Sequence, residues 1–88
     1  MAVDKTTIQC EVLLFAGLAD AIGRDRLGAT LPAGATVRDA VDTLAAEHPP
    51  IAAARPTLAV AVNEAYRGPD HALADGDVVA LIPPVSGG

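Results

Sequence analysis

The sequence predicts an α+β domain, a mixed sheet of four to five strands with one main helix across it and a short second helix. Three observations carry that expectation. The chain opens on a period-two alternation from Ile8, and its middle holds one capped helical stripe from Thr36 to Ala45. Its last third contains two short, almost wholly apolar runs, LAVAVN at 58–63 and VVALI at 78–82. At 88 residues there is room for one domain only. Apolar residues make up 51 % of the chain, so a packed core is expected, and with Phe15 and Tyr66 the only aromatics it must be built from Val, Leu, Ile and Ala.

The elements come in order. Residues 1–7 are polar and read as a flexible N-terminus. From Ile8 a strand places Ile8, Cys10, Val12 and Leu14 on one face, with Gln9, Glu11, Leu13 and Phe15 on the other. AGLADAIG at 16–23 reads as a short helix with apolar Leu18, Ala21 and Ile22, stopped by Gly23. A second strand is expected near 26–31, then a turn over Pro32–Gly34. Thr36 is a good helix N-cap, with Asp39 three residues later as a weak capping box. Val37, Ala40, Val41, Leu44 and Ala45 form one stripe, Arg38, Asp42 and Glu47 face out, and Pro49 and Pro50 end the helix. The run at 58–63 is a third strand, its uniform apolarity suggesting cover on both faces. NEAYRG turns the chain, a short extended piece lies at Ala72–Leu73, and Asp75-Gly76 makes a turn. The strand at 78–82 closes the sheet in the same buried style. Pro83 and Pro84 cannot donate ladder hydrogen bonds, so pairing should stop there.

The formal net charge of −5 and a pI near 4.6 argue against nucleic acid, where a basic face supplies most of the attraction. They are compatible with steering toward a basic protein, or with ordinary solubility. Cys10 is the only cysteine, so no internal disulfide is expected and a reducing, cytoplasmic setting is the natural inference. No signal peptide opens the chain and no run is long enough to span a bilayer.

No set of side chains presents a catalytic or metal-binding constellation. His48 and His71 share no ligand spacing with each other or with Cys10 and read as surface residues. Cys10, on the inward face, reads as a small hydrophobe. Ser86 has no base in reach by sequence. Asp75 and Asp77 fit a turn, and no phosphate-binding loop occurs. The chain is therefore not expected to be an enzyme by itself.

What is left is the ending LIPPVSGG. A strand meets two prolines, then four small residues. Two readings compete: a frayed terminus, or a carboxylate on Gly88 delivered by the tail. The second has physical support. The carboxylate is ionised near neutral pH and needs activation before a nucleophile can take it. Prolines hold an extended exit direction, and six residues from Pro83 reach about 20 Å. Gly87 and Gly88, lacking side chains, are suited to a channel too narrow for a Cβ.

LIPPVSGG closely resembles the end of the small-subunit family of molybdopterin synthase, ubiquitin-like β-grasp sulfur carriers. The likeness runs from Ile8 through LLFAGLADAIG, LPAGATVRDAVDTLAAEHP, VAVNEAY and LADGDVVALIPPVSGG. It implies a β-grasp domain over 8–82 and an extended flexible tail over 83–88. It also implies a role: an E1-like adenylating enzyme uses ATP to form a transient acyl-adenylate at Gly88. A sulfurtransferase then supplies sulfur for the thiocarboxylate, and the carrier binds no cofactor of its own. Pro83, Pro84, Val85, Ser86, Gly87 and Gly88 would enter the active site of the large subunit of molybdopterin synthase. There the sulfur would pass to a pterin precursor in molybdenum cofactor biosynthesis. The complex in this family is a heterotetramer. Leu81 stands where the family often has Phe, and with Leu13 and Phe15 it is assigned to the partner interface. Phe15 packing under a loop is the alternative. Other readings remain: a related carrier for thiamine, cysteine or tRNA thiolation, a ubiquitin-like modifier conjugated through Gly88, or a β-grasp interaction module with an idle tail. The double proline favours the first over the thiamine carriers.

Overall fold

The computed structural model describes residues 6–84. Strand β1 (Thr7–Leu14) leads into helix α1 (Ala16–Ile22) and strand β2 (Arg26–Pro32). Helices α2 (Val37–Glu47) and α3 (Pro49–Ala54) come next, then a 3₁₀ turn at Arg55–Thr57. Strands β3 (Ala59–Val62), β4 (Ala65–Tyr66) and β5 (Val78–Ile82) complete the order. The sheet has five strands in the order β2-β1-β5-β3-β4. β1 and β5 are its parallel central pair, and the β1–β2, β3–β5 and β3–β4 pairs are antiparallel.

Each element arises from local chemistry. The alternation of β1 buries Ile8, Cys10, Val12 and Leu14 as expected. α1 ends where Gly23 takes a left-handed φ of 82° and donates its N–H to the Ala19 carbonyl. α2 starts with a full capping box: Thr36 accepts from the Asp39 N–H, and the Asp39 carboxylate accepts from the Thr36 N–H at 2.9 Å. Its stripe of Val37, Ala40, Val41 and Leu44 is buried against the sheet. There it meets Val12, Leu31, Val79 and Leu81 together with Leu18 of α1 and Ile51 of α3.

The structure departs from expectation in three places. Pro49 and Pro50 end α2 but also open a third helix, because proline fits the first turn, where its missing N–H is not needed. The short fourth strand is Ala65–Tyr66; the extended piece at 72–73 contributes only an isolated bridge between Ala72 and Thr36. β3 and β5 are not covered by helices on both faces. Val60, Val62, Val79 and Leu81 belong to or pack on the core cluster, whereas Ala59, Ala61, Val78, Ala80 and Ile82 lie outside it.

One polar cluster ties the β3–β4 turn to the start of β5. Asn63 and Glu64 take φ of 50° and 73°, a two-residue left-handed turn. The Asn63 amide nitrogen donates to Asp77 at 2.9 Å, and its oxygen accepts from the Val78 N–H at 3.0 Å. The Ala74 N–H donates to the other Asp77 oxygen at 2.8 Å. The Ala74 N–H, and secondarily the Asn63 amide, hold the Asp77 carboxyl below its ordinary pKa. A depressed folded-state pKa stabilises the fold above the unfolded value, near pH 4, and the contribution fades as pH falls through the folded pKa. Urea denaturation below pH 4 should therefore show an acid-side loss of stability that is smaller in Asp77→Asn. An identical acid-side slope in the variant would count against this role.

Candidate functional site: the outer sheet face and the root of the tail

Because β1 and β5 are parallel neighbours, their C-terminal ends share one edge of the sheet. Leu13 pairs with Ala80 and Leu14 with Leu81. β5 remains paired to its last residue, Ile82 opposite Ala59, and the strand stops at Pro83 as expected. Pro83 is half-buried and lines a shallow cleft with Gly17, Leu18, Ala21, Pro50, Ala53 and Ala54 of α1 and α3; Pro84 is exposed. The tail thus leaves from the middle of the sheet on a strand held from both sides. Val85, Ser86, Gly87 and Gly88 lie outside the described residues.

The face of the sheet away from the helices runs to this exit. Side-chain parity puts Leu13, Ala59, Ala61, Val78, Ala80 and Ile82 on it. All but the buried Ala61 are partly exposed. Tyr66, opposite Ala61, extends the face toward the β4 edge and is 72 % exposed. A Glu11–Arg26 ion pair at 3.5 Å frames it on the β2 side. Phe15 comes directly after Leu14 at the exit end and is 45 % exposed. Ala16, with a left-handed φ of 51°, turns the chain there from β1 into α1. Such a contiguous apolar surface beside the root of the tail suits docking on a second protein.

The three residues assigned to a partner interface therefore divide. Leu13 is half-buried on the outer face and Phe15 is exposed at its end. Leu81 is corrected: it is 0 % exposed and packs in the core, because its pairing with Leu14 and Val60 turns it inward. A side chain with no surface cannot be a contact. Ala80 and Ile82, which flank Leu81 on the outer face, escape the sequence reading. Their signal is the period of two within VVALI, hidden because every residue of that run is apolar.

The remaining candidates fall in structural positions. His48 caps the junction of α2 and α3, and the His71 carbonyl accepts the Val37 N–H at 2.9 Å. Cys10 is 4 % exposed. Burial, then the Asp77 and Asp75 carboxylates, push its thiol above the ordinary range. Native protein at pH 8 should react with a disulfide reagent at least about 100-fold more slowly than the urea-unfolded chain. Equal rates would show that Cys10 is accessible.

The ThiS family profile matches residues 12–88. The molybdopterin synthase sulfur carrier subunit of Arabidopsis thaliana is 32 % identical over 85 residues, spanning 97 % of this chain and 88 % of that one. Its counterpart in Chlamydomonas reinhardtii is 37 % identical over 83 residues, spanning 92 % of this chain and all (100 %) of the relative. The crystal structure of small archaeal modifier protein 1 from Haloferax volcanii superposes with a TM-score of 0.79 at 32 % identity, covering 89 % of this chain and 99 % of the other.

Proposed function

Since the chain belongs to the ThiS family, we propose that it is a sulfur-carrier subunit of molybdopterin synthase, working through the carboxylate of Gly88. The observation that carries this reading is the placement of the tail's root. A strand paired on both sides ends at Ile82 beside an apolar sheet face, and Pro83 and Pro84 follow it without further pairing. The body would dock by Leu13, Phe15, Ala80 and Ile82, while the tail reaches into the partner.

The chemistry takes place on partners. An E1-like adenylating enzyme brings the Gly88 carboxylate to ATP; a carboxylate oxygen attacks the α-phosphorus and pyrophosphate leaves. Sulfur at the sulfide level, delivered by a sulfurtransferase, attacks the acyl carbon, and AMP departs with the C–O electron pair. The thiocarboxylate then enters the large subunit of molybdopterin synthase, where its sulfur passes to a precursor pterin. The carrier supplies the acyl group, the reach and the docking face, and no catalytic side chain. We assign it to the cytoplasm, in a heterotetramer with two carriers on a large-subunit dimer. None of the described helices is long and apolar enough to cross a membrane.

The test is the intact mass of the chain after incubation with an adenylating enzyme, ATP and a sulfur source. An oxygen-for-sulfur exchange confined to Gly88, and its loss when large subunit and precursor pterin are added, is the expected result. No exchange would overturn the reading. A second reading, a protein modifier joined to lysines through Gly88, is favoured by the likeness to the archaeal modifier protein. It predicts high-mass conjugates in cell extracts in place of a free thiocarboxylate.

A further inference from the structure

A second surface has no part in this scheme. An open groove of about 580 Å³ runs between the N-terminal half of α2 and the β3–β4 edge of the sheet. Its lining is Val37, Arg38 and Val41 from α2, Arg55 from the 3₁₀ turn and Leu58 just after it, Ala59 and Val60 of β3, and Tyr66 of β4 with the stretch that follows to Pro69. Only Ala59 and Tyr66 are shared with the outer sheet face.

The lining is unusual for this chain. The protein has 11 acidic and 6 basic residues, yet three of the arginines, Arg38, Arg55 and Arg67, line this one groove, and no carboxylate does. Arg38 pairs with Asp70 at 2.8 Å, and Arg55 pairs with Asp42. All four of these side chains are solvent-exposed, and such pairs are worth no more than about 1 kcal/mol, so an incoming carboxylate can replace them. Arg67 has no side-chain partner among the described residues. Beneath the guanidinium groups the floor is apolar: Val37 and Val41 are buried, and Leu58 and Val60 half-buried.

We propose that this groove binds an extended acidic peptide segment of a partner protein, apolar side chains on the Val37–Val41–Leu58–Val60 floor and flanking carboxylates on Arg38, Arg55 and Arg67. The proposal does not rest on the sulfur-carrier reading. Two features favour a peptide over a nucleotide or a phosphate. The cations come from three separate segments of the chain, α2, the 3₁₀ turn and the stretch after β4, with no single loop presenting them together. The adjacent start of α2 is closed to an anion, since the Val37, Arg38 and Asp39 N–H groups already donate to His71, Pro69 and Thr36.

The test uses the full-length ¹⁵N-labelled chain and the peptide acetyl-Glu-Glu-Leu-Val-Leu-Asp-Asp-amide, with binding read from amide chemical shifts. Saturable shifts at Val37, Val60, Tyr66 and Arg67 that weaken with added salt are expected, with affinity falling about tenfold or more in Arg67→Glu. Melting of that variant should match the parent, because Arg67 is exposed and without a side-chain partner. Absence of shifts at millimolar peptide would overturn the proposal, as would equal binding of a peptide with lysine flanks or with serines for its apolar residues. Tighter binding of ATP or pyrophosphate to the same amides would reassign the groove to phosphate ligands. Concentration-dependent shifts without peptide would assign it to a second copy, and shifts on removal of residues 85–88 to the chain's own tail. Each of these outcomes overturns the peptide assignment.

Discussion

Deleting Gly88, or adding one alanine after it, is expected to abolish pterin conversion by the reconstituted synthase while leaving thermal unfolding unchanged. The proposed electrophile is a main-chain group at a set distance from a rigid root. From Pro84 the four remaining residues reach about 13 Å when extended, so removing or adding one moves the carboxyl carbon by about 3 Å. Misplacing a reacting group by even 1 Å can cost about 100-fold in rate. No side chain on the tail can compensate, since none takes part in the chemistry. If the partner's channel admits only glycine, an added alanine also brings in a Cβ that does not fit. The fold should not register either change: the core cluster ends at Leu81, and the last ladder pair is Ile82 with Ala59. Conversion should be measured with precursor pterin and large subunit, beside a melting curve of each variant. Undiminished conversion by the extended chain would contradict a terminal acyl carrier.

The parts of the fold legible in the sequence are those where one local signal settles the structure. The alternation of β1 names its buried face without reference to any neighbour, and Thr36 with Asp39 marks the start of α2 through a closed local hydrogen-bond pair. Gly23 stops α1 for the same kind of local reason. Signals that depend on a neighbour are not legible. VVALI is apolar at both parities, so only its register beside β1, Val12 with Val79 and Leu14 with Leu81, decides which residues face the core. The family resemblance assigns Leu81 to the interface without that register, and the register turns it inward. β4 has only two residues and comes after an Asn63-Glu64 turn, where the usual glycine is absent. Pro49 and Pro50 carry two meanings, a stop for one helix and a start for the next, and sequence alone favours the stop. The ending proposed to carry the function shows the opposite balance. Residue types and their order are what suggest it, and its last four positions lie outside the described residues. What the structure adds is the root: a central strand, an exit edge and the apolar face beside it.

Alternate residues of the parallel pair should separate folding from docking. Leu81→Ala is expected to destabilise the domain by about 3 kcal/mol, the usual cost of emptying a fully buried leucine site. Leu13→Asp should cost about 1–2 kcal/mol, because Leu13 is half-buried on the open face and its cross-strand neighbour is Arg26, which can meet the new carboxylate. Binding should show the reverse order. If the outer face docks on the large subunit, the new carboxylate and the Arg26 guanidinium beside it must both give up water that leucine does not hold, and affinity should fall by at least about 100-fold. Leu81→Ala, measured below its unfolding temperature, presents the same outer face and should bind as the parent does. Urea denaturation gives the first comparison and titration calorimetry with the large subunit the second. Undiminished binding by Leu13→Asp would remove the sheet face from the interface and leave the tail as the whole of the recognition. Four extended residues bury far less than the roughly 1,200 Å² a stable complex needs, so tail-only recognition would be weak, and the body is expected to supply most of the affinity.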